Sequence, residues 1–253
     1  MKQLVEIKEV TAGYNDDIIL KNINLDIFEQ DFIGIIGPNG GGKTTLLKVI
    51  LGLIKPIKGS IKFFNYDTYK EKIIIGYLPQ FNQIDKKFPI SVFDVVLSGL
   101  MSKNGIFNRN FQRNKIIAEE LLKKMGIYEL KKKPIGELSG GQMQRVFLSR
   151  AIIASPKLLI LDEPLTYVDS HFENELDEIL VELNKHMAII IVSHDVGTIF
   201  SYVKTIACIN RGLYYHTSNE ISEELLAFYN CPLDIITHGE IPHRVLQHHN
   251  KKE

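Results

Sequence analysis

The sequence predicts an α/β fold. It should pair a parallel sheet that ends on a glycine-rich loop with an antiparallel β part and an inserted, mostly helical segment. Three observations predict this. The continuous apolar run Phe32-Ile33-Gly34-Ile35-Ile36 has the length and texture of a strand buried on both faces, and it feeds the loop Gly37 to Gly42 and then a helical stretch. Two further runs, Lys157 to Leu161 and Ala188 to Val192, bracket a helical pattern. Strand, helix, strand in this order implies parallel pairing with a right-handed crossover. Between the two halves, from about Phe81 to Ser155, the apolar spacing becomes helical.

Each element follows from its residues. Leu4-Val5-Glu6-Ile7 and Ile23-Asn24-Leu25-Asp26-Ile27 alternate apolar and polar, as half-buried antiparallel strands do. A helix over Lys43 to Leu53 is closed by Gly52 and Pro56. Ile116, Ile117, Leu121, Leu122 and Met125 recur at helical spacing before the stop at Gly126, and a second helix spans about Gly140 to Ala154. Ser170-His171-Phe172-Glu173 reads as a capping box, followed by Phe172, Leu176, Ile179, Leu180 and Leu183 on one helix face. The tail from about Asn219 carries a short helix near Glu223 to Tyr229 and an irregular end. The expected organisation is one unit over 1–253. Its α/β core with the β part takes 1–80 and 156–218, its helical subdomain 81–155, and its C-terminal tail 219–253.

Composition narrows the function. The 30 Lys and Arg balance the 30 Asp and Glu, which argues against a protein that coats nucleic acid. No apolar stretch approaches the roughly eighteen residues of a membrane span. Met1 to Tyr14 has no apolar signal core, so the expected compartment is the cytoplasm. Cys208 and Cys231 make no disulfide framework.

Three motifs carry chemistry. Gly37-Pro38-Asn39-Gly40-Gly41-Gly42-Lys43-Thr44 fits Gly-x4-Gly-Lys-[Ser/Thr]. Glycines let backbone N–H groups turn around phosphate oxygens, and the following helix points its positive end at them. Lys43 can reach the β- and γ-phosphates, and the Thr44 hydroxyl can ligate Mg²⁺. Leu158-Leu159-Ile160-Leu161-Asp162-Glu163-Pro164 is an apolar strand ending in acids at the edge where α/β sheets bind ligands. Asp162 would hold the Mg²⁺ shell, and Glu163 would orient or deprotonate the attacking water. Leu138-Ser139-Gly140-Gly141-Gln142 has a hydroxyl, paired glycines and a helix start; by itself it is equally an ordinary helix cap.

Phosphate loop, Leu138-to-Gln142 signature and acidic strand, in this order, resemble ABC-type nucleotide-binding domains, which have a P-loop NTPase (RecA-like) core. The resemblance covers nearly the whole chain. It implies that ATP is bound by Tyr14, stacked on adenine, and by Gly37, Pro38, Asn39, Gly40, Gly41, Gly42, Lys43, Thr44 and Thr45. It implies Mg²⁺ held through Thr44, Gln80 and Asp162, catalysis by Glu163, His194, Lys43 and Gln80, and Asp169 in the loop at the dimer contact. It also implies a homodimer in which Ser139, Gly140, Gly141 and Gln142 of one copy close on the ATP of the other. Two departures stand out. Gly41 replaces the common Ala or Ser, which should soften the loop. Leu165-Thr166-Tyr167-Val168-Asp169 replaces the common Ser-Ala-Leu-Asp ending.

Finer likeness points to the ATPases of zinc, manganese and iron(II) importers. It rests on Lys87-Phe88-Pro89-Ile90-Ser91-Val92, Pro134-Ile135-Gly136-Glu137-Leu138, Ser193-His194-Asp195-Val196-Gly197 and Asn210-Arg211-Gly212-Leu213. Cys231-Pro232-Leu233-Asp234 and the stretch His238 to Leu246 add to it. The expected partners are a multi-span permease, meeting residues Gln80 to Arg109, and an extracytoplasmic metal-binding protein reached through the complex; no nucleic acid is expected. The expected location is the cytoplasmic face of the membrane. Alternatives are an importer of another small substrate, or a soluble ATPase of DNA repair or translation. His238, His243, His248 and His249 read either as a metal-sensing tail or as a docking tail that happens to carry histidines.

Overall fold

Three fully buried strands set the architecture. Every residue of β3 (Phe32–Ile36), β6 (Leu158–Asp162) and β7 (Ala188–Val192) is buried. Because side chains alternate across a strand, each run supplies two cores. Ile33, Ile35, Leu158, Ile160, Ala188, Ile190 and Val192 enter one; Phe32, Ile36, Leu159, Leu161, Ile189 and Ile191 enter the other. The computed structural model describes residues 1–15, 17–64, 73–80, 89–100, 111–164, 170–193, 203–216, 235–236 and 243–244; of 170–174, 216, 235–236 and 243–244 it describes the backbone alone.

The remaining elements are β1 (Gln3–Tyr14), β2 (Asp17–Phe28), α1 (Lys43–Ile50), β4 (Lys58–Phe63), β5 (Ile75–Leu78) and α2 (Val92–Ser98). Then come α3 (Phe111–Lys124), α4 (Gly140–Ile152), α5 (Ser170–Asn184), β8 (Thr205–Asn210) and β9 (Gly212–His216). Short strands β10 (Ile235–Ile236) and β11 (His243–Arg244) pair antiparallel.

The central sheet has the order β5-β6-β7-β3-β8-β9, parallel except for β9. The predicted parallel pairing of the second and third buried runs is therefore found, Leu158 to Asp162 lying against Ala188 to Val192. A second sheet, β2-β1-β4, is antiparallel. Between the two sheets lies the core that α1 enters through Leu46, Leu47, Val49 and Ile50. On the opposite face of the central sheet, α2, α3 and α4 form the second core with Val96, Ala118, Leu122, Val146 and Leu148.

The structure corrects several boundaries. Strands β1 and β2 run for 12 residues each, well past the alternating stretches, because bulges absorb the breaks in alternation; Glu9 and Asn22 stand at φ 52 there. Helix α1 ends at Ile50, not Leu53, with Gly52 in the left-handed region at φ 72. Helix α4 ends at Ile152, short of Ala154. In α3, Ala118 and Leu122 face the core, as does Met125 just past its end, whereas Ile116 is 57% exposed; its spacing fitted the apolar face, but it sits on the solvent side. Leu176 and Leu180 of α5 are buried as expected; the predicted cap side chains at 170–173 and the helix near 223–229 lie outside what is described.

Candidate functional site

The phosphate loop, Gln80, Asp162 and Glu163 meet at the carboxyl edge of the parallel sheet. The loop leaves β3, Gln80 follows β5, and Asp162 ends β6, one residue further than the sequence placed that strand. Tyr14 comes from the other sheet, at the tip of the β1–β2 hairpin, where Gly13 pairs with Ile18 and Asn15 turns at φ 50. A cleft of about 480 Å³ opens between them, within the size range of ligand pockets. Tyr14, Ile19, Pro38, Asn39, Gly40, Gly42, Lys43, Thr44, Thr45, Gln80 and Glu163 line it.

The loop is shaped by contacts that only glycine tolerates. Gly37, Gly40 and Gly42 have φ of 153, 77 and 107. A Cβ on Gly37 would stand 2.1 Å from the Ile209 carbonyl oxygen, and one on Gly42 would stand 2.6 Å from Leu20 Cδ2. Gly41 is closely packed as well. A Cβ there would lie 2.8 Å from the same Ile209 oxygen, so a side chain at this position would press on β8. Buried Lys43 donates to the carbonyls of Gly37 (2.8 Å) and Pro38 (3.1 Å), closing the loop around its ammonium.

Tyr14 is 43% exposed, as a stacking surface requires, and its hydroxyl accepts a hydrogen bond from Lys48 Nζ at 3.3 Å. Asp162 is buried, and burial, followed by the neighbouring Glu163, raises its proton affinity. Glu163 stands at φ 50, its N–H bonded to the Val192 carbonyl at 2.9 Å, and its carboxylate accepts a hydrogen bond from Gln80 Nε2.

The sequence reading missed two residues. Tyr77 donates to Asp162 Oδ2 at 3.5 Å, and burial, with the nearby Asp162 charge second, pushes its phenol up to about 12. Its place two residues before Pro79, on a strand next to the acidic one, was the available signal. Ile19 lines the cleft beside Gly42; nothing in an alternating strand marks it. Ser139 and Gln142 stand apart from the cleft lining and form a reciprocal capping box, Ser139 Oγ accepting from Gln142 N (3.3 Å) and Gln142 Oε1 from Ser139 N (3.1 Å). Asp169 and His194 lie outside the described residues, as do Phe81, Phe88 and Phe107. Ile90 packs against the helical core.

A glycine-rich loop between a buried parallel strand and a helix, faced by acids at the end of a neighbouring strand, defines a P-loop nucleotide hydrolase. The pattern described as ABC transporter matches residues 20–166. The chain belongs to the ABC transporter family, as an ATP-binding and ATP-hydrolysing subunit. It is 38% identical over 232 residues to the zinc uptake system ATP-binding protein ZurA of Listeria monocytogenes, covering 90% of both chains. It is 39% identical over 199 residues to the manganese transport system ATP-binding protein MntB of Bacillus subtilis, covering 78% of this chain and 80% of that one. Among solved structures, an ABC transporter in an inward-facing conformation superposes with TM-score 0.82 at 25% identity, over 97% of each chain. A dimeric ATP-binding cassette with ADP and phosphate gives 0.71 at 27%, over 87% of this chain and 100% of that one. Among the described residues no helix is long and apolar enough to cross a membrane.

Proposed function

We propose that this chain energises the import of a divalent metal ion, zinc or else manganese or iron(II), by hydrolysing ATP for a separate membrane permease at the cytoplasmic face. The observation that carries this reading is the similarity, over 90% and 78% of this chain, to ATPases named for zinc and manganese uptake. The matches at residues 87–92, 134–138 and 210–213 support it.

The residues present suit MgATP. The cleft has one aromatic wall and one glycine wall, and Lys43 satisfies its charge on loop carbonyls from which a triphosphate can draw it. Asp162 is a buried carboxylate whose charged form is disfavoured, which is relieved when a divalent cation stands beside it. Thr44, Gln80 and Asp162 would hold Mg²⁺, which supplies charge neutralisation to the phosphoryl oxygens.

In this reading, Tyr14 holds the adenine, and Lys43 with the loop amides binds the phosphates. Glu163 accepts the proton of the attacking water, with Gln80 holding its carboxylate in place. Two copies pair head to tail, and Ser139 to Gln142 of each completes the other's site. That accounts for a signature segment that, within one chain, only caps a helix. Asp169 sits at the contact between copies, and His194 adds stabilisation of the transferring phosphoryl. Residues 80–109 meet the permease, and an extracytoplasmic metal-binding protein delivers the ion. The division into a core over 1–80 and 156–218, a helical subdomain over 81–155 and a tail over 219–253 completes this reading.

The test is radiolabelled metal uptake in cells that depend on this chain, compared with Lys43→Ala. Loss of zinc uptake with manganese uptake intact supports a zinc importer, and the reverse supports manganese. Equal uptake of every divalent metal by both forms sinks the import reading.

A further inference from the structure

Behind the phosphate loop, the β8–β9 hairpin turns at Asn210-Arg211-Gly212, with Asn210 paired to Gly212 and Arg211 at φ 59. Both peptide groups of Arg211 are used. Its N–H donates to the Gly41 carbonyl at 2.9 Å, and its carbonyl accepts from Lys21 N at 2.7 Å. Gly41 lies in the glycine-rich loop between Gly40 and Gly42, both of which line the cleft. Lys21 belongs to β2, two residues beyond Ile19, which also lines the cleft, and one beyond Leu20, whose Cδ2 would stand 2.6 Å from a Cβ on Gly42. One residue thus ties the glycine-rich loop to strand β2 from outside the cleft.

The bond to Gly41 also has a directional effect. The described chain has no cis peptide, and in a trans peptide the carbonyl and the next N–H point in opposite directions. Holding the Gly41 carbonyl toward the hairpin therefore turns the Gly42 N–H away from the hairpin, and Gly42 is one of the residues that line the cleft. The Ile209 carbonyl, pressed against Gly37 and Gly41, blocks the loop from relaxing backward. A non-glycine residue held at positive φ is a local cost that the surrounding structure must sustain.

We propose that Arg211 is a positioning residue: its backbone aims the Gly42 amide at the bound phosphates and sets the spacing between the Tyr14–Ile19 wall and the phosphate loop. This rests on reading that loop as the phosphate site. The role belongs to the backbone, so Arg211→Gly keeps both bonds and removes the left-handed cost. Arg211→Pro removes the N–H and pulls φ toward the proline value of about −65°. Replacement of residue 211 by its α-hydroxy acid analogue exchanges only the N–H for an ester oxygen.

The experiment is titration of MgATP and of inorganic triphosphate into each full-length form, at a temperature where circular dichroism shows it folded, beside melting curves. Expected are affinities within about twofold of wild type for Arg211→Gly, and losses on the order of tenfold for both ligands in the ester form. Arg211→Pro should lose at least as much; if it does not fold, the ester form decides. A lower melting temperature with wild-type affinity in the ester form would show a merely structural bond and overturn the proposal. Lys43→Ala separates the two levels. If it binds triphosphate as wild type does, the phosphate-site reading itself fails; if Lys43→Ala loses binding and the ester form does not, only the positioning role fails.

Discussion

Gln80 donates a hydrogen bond to the Glu163 carboxylate, joining the ends of two adjacent parallel strands at the mouth of the cleft. Glu163 stands in the left-handed region at φ 50 immediately after buried Asp162, and the two acids have different partners. One carboxylate lies under the sheet edge beside Tyr77, and the other lines the cleft. Adjacent acids in different surroundings are suited to different tasks.

The first prediction concerns that division of labour. Glu163→Gln should lower ATP turnover by roughly a hundredfold or more, the usual worth of a positioned base, while leaving MgATP binding in place. Size-exclusion chromatography with light scattering should then show an ATP-dependent dimer. Turnover at the wild-type rate would remove Glu163 from the role of base.

Asp162 should reveal itself in pH-dependent stability. Its folded pKa is raised, by burial first and by Glu163 second, so the native state holds this proton more tightly than the unfolded chain. Such a group contributes stability below the unfolded value near 3.8, and that contribution is lost as pH rises through the folded value. Asp162→Asn should therefore raise the urea midpoint at neutral pH while abolishing Mg²⁺-dependent hydrolysis, and the gain should shrink as pH falls toward about 4. A gain that is independent of pH would mean the charge is not its source.

Ser139 has two separable jobs. As a helix cap it should contribute about 1 kcal/mol, lost in Ser139→Ala. Ser139→Asp keeps a capping oxygen but sets a negative charge where the partner copy's triphosphate is proposed to lie. It should melt close to wild type and yet lose most ATP-dependent dimerisation and turnover. Full activity in Ser139→Asp would leave the segment as a cap and nothing more.

Gly37→Ala should cost about 1–3 kcal/mol, because it strains a positive φ. The new Cβ would also stand 2.1 Å from the Ile209 carbonyl oxygen, so β8 or the loop must move. Urea unfolding gives the stability change, and nucleotide titration should show weakened binding in the fraction that remains folded.

Much of this was readable from local pattern. The buried runs Phe32–Ile36 and Ala188–Val192 were legible because a strand covered on both faces must be continuously apolar. The phosphate loop was legible because glycine spacing, lysine and the flanking elements are all local. Elsewhere local pattern misled. Ile116 has helical spacing and stays in solvent, since which arc of a helix is covered depends on its neighbours in space. The long strands β1 and β2 hide behind bulges that break their alternation.

The sequence alone determined the fold class and the family, and marked the glycine-rich loop and the acidic strand as the candidate site, because motif chemistry is written in residues near one another along the chain. Only the tertiary structure decided that Tyr77 bonds Asp162, that Gln80 reaches Glu163 and that Arg211 ties Gly41 to Lys21. The members of these pairs lie far apart in sequence; parallel sheet order brings Tyr77 and Gln80 to the two acids, and the packing of the second sheet beside the β8–β9 turn brings Lys21 to Arg211. The tightness of Gly41 was decided in the same way: the residue that excludes a side chain there, Ile209, belongs to a strand formed far along the chain.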